Sequence, residues 1–75
     1  MNIAWGADAY ADWRRLRFAD AEAVATAVER WASTGEGLVY AAGGGEFRLF
    51  VGRHVVVFFV TEREPTMHVW HVHRA

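Results

Sequence analysis

Histidine and arginine side chains, which can transfer protons near neutral pH and bind phosphate, are concentrated in the last part of this chain. All four histidines and half of the eight arginines lie from residue 46 onward. This segment contains three runs of β-branched and aromatic residues, at 46–52, 53–60 and 67–74, separated by short turn signals. A small antiparallel sheet whose strands display Arg and His is suited to engaging phosphate or to cutting RNA.

His54, His71 and His73 are the candidate acid–base groups of this segment. Cleavage of RNA by attack of the 2′-hydroxyl needs a base, an acid and a cation on the phosphate, and histidine can fill the first two roles. His71 and His73 are two residues apart on a predicted strand, so both should point to one face, about 7 Å apart. The alternative interpretation is that these histidines are polar residues on the solvent side of a half-covered sheet.

Arg48 and Arg74 are the candidate cations. Arg48 alternates with apolar residues and should project from the sheet, where its planar guanidinium could clamp a phosphate and stabilise the charge that develops on it. Arg74 would add positive charge beside the last histidine. The alternative for Arg48 is an ordinary surface ion pair with Glu46 or Glu36.

A metal site is the third possibility for the same histidines, because His71 and His73 offer two imidazoles to one ion and His68 or His54 could add a third. The chain has no cysteine, and the strand that carries His71 and His73 has no carboxylate nearby. The sequence therefore predicts neither a metal nor a cofactor.

Composition limits the class of protein. With 75 residues, 53% of them hydrophobic, the chain is long enough for a single domain (1–75) with a dense core. The absence of cysteine excludes a disulfide framework, and no apolar run approaches the roughly 20 residues of a membrane span. Because the N-terminus lacks the pattern of a signal peptide, we expect a cytoplasmic protein. The net charge of −1 argues against nucleic-acid binding through charge alone.

The first half of the chain predicts a short strand followed by two helices joined by residues 17–19. Asp20 is placed to cap the second helix, and Gly35 to end it. Both helices carry an apolar stripe with i, i+4, i+7 spacing, formed by Ala9, Trp13 and Leu16 in the first helix and by Val24, Val28 and Trp31 in the second.

The second half predicts four strands, at residues 38–42, 46–52, 54–61 and 67–73. The third of these is apolar on both faces and should lie in the middle of the sheet. The predicted order is β-α-α-β-β-β-β, an α+β fold with an N-terminal strand, an αα-hairpin and a four-stranded antiparallel sheet. All four tryptophans, including Trp70, are expected to pack in the core.

The chain resembles the RelE/ParE superfamily of bacterial toxins over nearly its whole length. The family opens with a strand that ends in an aromatic residue, as Trp5 does here, and a helix bearing Ala and Leu follows. The later strands carry the family's short motifs, here Phe-Arg-Leu-Phe-Val-Gly at 47–52, an apolar strand at 55–60, and Val-His-Arg at 72–74. The family usually has Arg where this chain has His54.

The resemblance implies the toxin component of a type II toxin–antitoxin system, which arrests growth and is neutralised by a cognate antitoxin. Family members act in two ways: some cleave mRNA in the ribosome, which requires RNA binding, and others inhibit DNA gyrase by binding it. A homodimer or a hetero-oligomer with the antitoxin is implied as well. In the family, the arginine that matches Arg48 lies on the concave surface that contacts RNA or a partner.

The target stays open at the level of sequence. The histidine-rich last strand favours an endoribonuclease that needs no metal, whereas the acidic net charge favours, by a small margin, a toxin that acts only by binding. A catalytically silent domain that keeps the fold and binds another protein is the alternative from a different class.

Overall fold

The computed structural model describes all 75 residues, and its elements follow the predicted order. They are β1 (Asn2–Trp5), α1 (Ala7–Arg14), α2 (Phe18–Thr34), β2 (Leu38–Gly43), β3 (Glu46–Val51), β4 (His54–Thr61) and β5 (Thr66–Arg74). The predicted α+β class is confirmed. None of its helices has the length and apolarity needed to cross a membrane.

All five strands belong to one sheet, in the spatial order β1-β5-β4-β3-β2. β1 pairs in parallel with β5, from Asn2 opposite Thr66 to Trp5 opposite Val69, and the other neighbouring strands are antiparallel. The four later strands pair antiparallel, as predicted, but the sheet has five strands instead of four, because β1 joins it beside β5. A four-residue apolar segment contains no signal for its partner, which here lies at the other end of the chain.

The two helices differ in length, with 8 residues in α1 and 17 in α2. α2 begins at Phe18, so Asp20 lies inside its first turn and is not its cap, as the sequence had suggested. Arg17 takes the cap position with extended backbone and makes no capping hydrogen bond through its side chain. Gly35 ends the helix in the left-handed conformation at φ 76°, as predicted, because a residue without Cβ adopts that conformation without strain.

The core lies between the helices and one face of the sheet. Val24, Val28 and Ala32 of α2 form a buried stripe, and Ala9 of α1 joins the same cluster. The sheet contributes Leu49, Val56, Phe58, Met67, Val69 and Val72. The centroid of the Trp31 ring system lies 4.6 Å from that of the Phe58 ring, so the predicted core face of α2 is correct.

β4 is the middle strand, and it is buried on both faces, as predicted. Val56 and Phe58 point toward the helices, and Val55 and Val57 point to the opposite face, yet all four are buried. Because β4 is paired on both sides, its alternation also fixes which residues of β3 and β5 share each face.

A β-bulge in β5 overturns the prediction for Trp70. Val57 pairs with His71, but the next residue, Phe58, pairs with Val69, so Trp70 is left without a partner on β4. The extra residue breaks the strict alternation, and the Trp70 side chain is 56% exposed instead of packing in the core. A period-two pattern cannot indicate a bulge, because it assumes an uninterrupted strand.

Two adjacent phenylalanines of β4 provide a matched test of this arrangement. Phe58→Ala should lower the free energy of unfolding by about 3–5 kcal/mol, because Phe58 is fully buried beneath α2. Phe59→Ala should cost about 1 kcal/mol or less, because that ring lies on the exposed side of the same strand. Urea unfolding followed by tryptophan fluorescence measures both. Equal losses would show that the two faces of β4 have been assigned incorrectly.

Candidate functional site

The face of the sheet opposite the helices, called the open face here, carries most of the candidate residues. It consists of the outward side chains of β2 to β5: Leu38, Tyr40, Arg48, Phe50, Val55, Val57, Phe59, His68, Trp70, His71 and His73. Both helices pack into the cluster on the other side, and α1 reaches the border of the open face only through Asp12, beside His71.

Arg48, His71 and His73 are brought to the open face by strand pairing. Arg48 on β3 lies opposite Val57 on β4, and Val57 lies opposite His71 on β5. Arg48 and His71 therefore stand on one row, two strand spacings or about 10 Å apart at the backbone. His73 stands on the next row, opposite Val55. The two small, buried valines leave a shallow floor between the arginine and the two imidazoles.

Arg48 forms an ion pair at the edge of this floor. Its Nη2 lies 3.3 Å from Oε2 of Glu46, the partner suggested by the alternative interpretation of the sequence. The Arg48 side chain is 50% exposed, so water weakens the pair. A guanidinium has five N–H donors, and this single contact leaves most of them available to an anion.

His71 lies where α1 meets the sheet. Its Nδ1 is 3.8 Å from Oδ2 of Asp12, and the same carboxylate oxygen accepts a hydrogen bond from the Val72 amide at 3.2 Å. The other oxygen of Asp12 accepts from Arg15 at 2.7 Å. Asp12 thus anchors β5 beyond the end of β1 and places a carboxylate within ion-pair distance of the imidazole, too far away for a direct hydrogen bond.

Asp12 belongs to the site, although it is not among the residues predicted from the sequence. It lies on α1 away from the apolar stripe, and only the position of α1 beside β5 shows what it contacts. The signal in the sequence was an acidic residue on a short helix, which is far too common to be specific.

His73 and His68 complete the description of the open face. Nδ1 of His73 is 3.1 Å from the carbonyl oxygen of Arg74, and the side chain is otherwise exposed. His68 lies away from Arg48, stacked on Phe59 at 4.7 Å between ring centroids and hydrogen-bonded to Thr61 at 3.0 Å. No three His, Asp or Glu side chains come close enough together to hold a metal ion.

His54 and Arg74 are not brought together with the other candidates. They lie opposite each other on β4 and β5, on the face that the helices cover. Both line a pocket of about 470 Å³ at the end of the sheet, together with Arg17 and Arg53. The five predicted site residues therefore divide into two groups on opposite sides of the sheet.

Solved structures of toxins and of toxin–antitoxin complexes share this architecture. No family model and no curated protein matches the sequence. Among solved structures, the YoeB/ParE toxin from Agrobacterium tumefaciens matches with a TM-score of 0.81 and 18% identity, covering 100% of this chain and 99% of that one. A chain of the intact E. coli RelBE toxin–antitoxin complex matches with a TM-score of 0.81 and 13% identity, covering 99% and 95%.

A more distant structure shows the same likeness. A chain of the RelB–RelE antitoxin–toxin complex from Methanococcus jannaschii matches with a TM-score of 0.73 and 10% identity, over 95% of this chain and 88% of that one. The protein therefore has the RelE/ParE-type toxin fold, as the sequence resemblance implies. At this level of identity the likeness establishes the fold, and the residues of the site have to be argued from this chain itself.

Proposed function

We propose that the protein is the toxin component of a type II toxin–antitoxin pair and that the open face is its working surface. The fold is shared along nearly the full length of both chains with a YoeB/ParE toxin and with chains of two toxin–antitoxin complexes. The partner proposed here is a cognate antitoxin, a second protein that binds the folded toxin and blocks the open face.

The outer edge of β2 is the place where such a partner can attach. β2 ends the sheet and pairs only with β3, so one row of its backbone N–H and C=O groups has no partner in the chain. Leu38 and Tyr40 on this strand are more than half exposed and face the same side as Arg48. An extended antitoxin segment that adds a strand there would gain main-chain hydrogen bonds and cover these side chains.

Cleavage of RNA is the activity that the geometry supports best. The single observation behind it is that Arg48, His71 and His73 share one exposed face, with only small valines between them. Arg48 would hold the scissile phosphate. One histidine would take the proton of the 2′-hydroxyl as its oxygen attacks phosphorus, and the other would protonate the departing 5′-oxygen, leaving a 2′,3′-cyclic phosphate.

A toxin that acts only by binding, for example to DNA gyrase, is the second candidate. Three aromatic side chains of the open face, Tyr40, Phe59 and Trp70, are 57%, 36% and 56% exposed. Aromatic residues are enriched at the centres of protein interfaces. The net charge of −1 and the ion pair on Arg48 also favour a protein target over an RNA target.

Partner binding gives the first test. Co-expression with the product of the adjacent gene should yield a complex that survives size-exclusion chromatography, because coupled folding of an antitoxin tail buries on the order of 1,000–3,000 Å². Tyr40→Lys should weaken the complex roughly tenfold or more, since it places a charge at the centre of the proposed contact.

Phe18→Lys is the matched control for this experiment, because it also replaces an exposed aromatic residue with lysine, but on the first turn of α2. It should leave the complex intact. Two proteins that elute separately at micromolar concentration would refute the antitoxin proposal. A complex weakened by Phe18→Lys and not by Tyr40→Lys would refute the β2 edge as the attachment site.

The chemistry is tested by inducing the wild type and variants and mapping the ends of cellular mRNA. Arg48→Ala and His73→Ala should each reduce cleavage by about 10²–10⁴-fold, because each removes a group that acts on the reacting atoms. His68→Ala is the control, since it removes a histidine from the same face outside the proposed site. It should cleave like the wild type.

Three outcomes separate the candidates. Cut transcripts that disappear in the Arg48 and His73 variants support the nuclease. If growth stops while transcripts stay intact, the nuclease proposal gives way to the binding toxin. In that case the arrest should persist in the Arg48 and His73 variants and be lost in Trp70→Ala. A wild type that causes no arrest would replace both with a silent interaction domain.

A further inference from the structure

A second cationic site lies on the side of the sheet that the open face does not use. It is a pocket of about 470 Å³ between the start of α2, the β3–β4 turn and the end of β5. Three arginines and one histidine line it, one or more from each of these elements: Arg17, Arg53, His54 and Arg74. Its size falls within the range of small-molecule sites, about 300–1,000 Å³.

The charges in this pocket are unbalanced. Asp20 is the one carboxylate in its lining, and none of the three arginines lies within ion-pair distance of any acidic group. The formal charge is therefore +3 from arginine and −1 from Asp20, or +2 with His54 neutral, in a chain whose net charge is −1. Like charges gathered around one cavity repel one another, and an anion inside it would offset that cost.

Backbone interactions hold two of the arginines in place. Gly52 makes the β3–β4 turn with a φ of 58°, which favours glycine, and Arg53 follows it directly. The carbonyl oxygen of Arg53 accepts a hydrogen bond from the Ala75 amide at 2.8 Å, and His54 pairs with Arg74 in the ladder. The turn and the end of β5 are thereby tied together, so the backbones of Arg53 and Arg74 border the pocket from fixed positions, while their exposed side chains are free to turn toward a ligand.

α2 adds a favourable field to the same place. This helix has 17 residues, and it begins beside Arg17 with no side chain capping its first turn. The first amide N–H groups of a helix lack partners within the helix and carry partial positive charge. This partial charge adds to that of the arginines, and Asp20 in the same turn opposes it.

The number and direction of the donors decide between anions. A carboxylate has two oxygens with about four acceptor positions, which one or two arginines satisfy, whereas three guanidinium groups offer about fifteen N–H donors. A phosphate presents three or more oxygens in different directions and can accept from arginines that approach from three elements. The lining contains no Phe, Tyr or Trp on which a base could stack, and His54 is its one flat ring, so the arginines, which suit phosphate oxygens, dominate recognition.

We infer that this pocket is a phosphate-binding site, separate from the open face. Its ligand is a phosphate-bearing group, either the phosphates of a nucleotide or the backbone phosphate of a nucleic acid. Arg17, Arg53 and Arg74 bind the phosphate oxygens, His54 adds a donor, and Asp20 weakens the binding of anions. The site stands whether or not the open face cleaves RNA, because the two share no residue.

The test is calorimetric titration of the intact protein at low ionic strength, with inorganic pyrophosphate as the first probe. The ring signals of His54 in NMR spectra report whether binding occurs in the pocket. Arg53→Ala and Arg17→Ala should each weaken binding about tenfold or more, as expected for loss of a charge-assisted hydrogen bond. Asp20→Asn should strengthen binding several-fold, because it removes the only negative charge from the lining.

Arg63→Ala is the matched control, since it removes the same charge from an exposed position in the β4–β5 loop outside the pocket. It should leave the affinity nearly unchanged. The gain in Asp20→Asn protects the test from misfolding, because an unfolded variant does not bind more tightly. Circular dichroism of each variant checks that the fold is retained.

Two further probes distinguish the sources of phosphate. ADP tests the nucleotide, and a ten-residue 2′-O-methyl RNA, which cannot be cleaved at the 2′-oxygen, tests the backbone. If either probe binds and Arg53→Ala weakens that binding, the site is supported and the probe identifies the kind of phosphate that it binds. The inference is overturned if no probe shifts His54 at millimolar concentration, if Arg63→Ala weakens binding as much as Arg53→Ala, or if only a glutamate-rich peptide binds there.

Discussion

The alternation of the central strand β4, paired on both sides, is the constraint on which the rest of the structure depends. Its inward residues, Val56 and Phe58, pack against the helices, and its outward residues, Val55 and Val57, form the floor of the open face. A shift of one residue in the pairing with β3 would move Arg48 to the other side, and a shift in the pairing with β5 would do the same to the histidines of that strand. Four buried side chains on both faces make such a shift costly, so the position of the chemistry follows from the packing of one hydrophobic strand.

Much of the fold could be predicted from the sequence, because the spacing of apolar residues and the turn residues that end each element are local signals. The helices, the four later strands, the stop at Gly35 and the central place of β4 all followed from residues close together in the chain. The bulge at Trp70 could not be predicted, because alternation of residue types assumes an uninterrupted strand. The parallel pairing of β1 with β5 could not be predicted either, because the partner of β1 lies at the other end of the chain. The same reason explains why Asp12 was missed.

The candidate site divides in a way that residue types alone could not show. His54 and His73 are both candidate partners for a phosphate by residue type. They lie on opposite faces of the sheet, because His73 pairs with Val55, whose side chain points away from that of its neighbour His54. The positive charge follows the same division. On the open face Arg48 is partly neutralised by Glu46, whereas the arginines of the pocket have no acidic partner within ion-pair distance. An acidic net charge is therefore compatible with a local site for anions, because what matters is where the cations gather.

The central claim is that the candidate histidines belong to two separate sites, and contacts between protons test it most directly. A NOESY spectrum of the isotopically labelled protein should connect the His73 ring to the methyl groups of Val55, its partner in the ladder. The His54 ring should connect to the methyl groups of Val51, its ladder partner on β3, which also lines the pocket. Cross-peaks from the His54 ring to the His73 ring, with none to the Val51 methyl groups, would contradict the account.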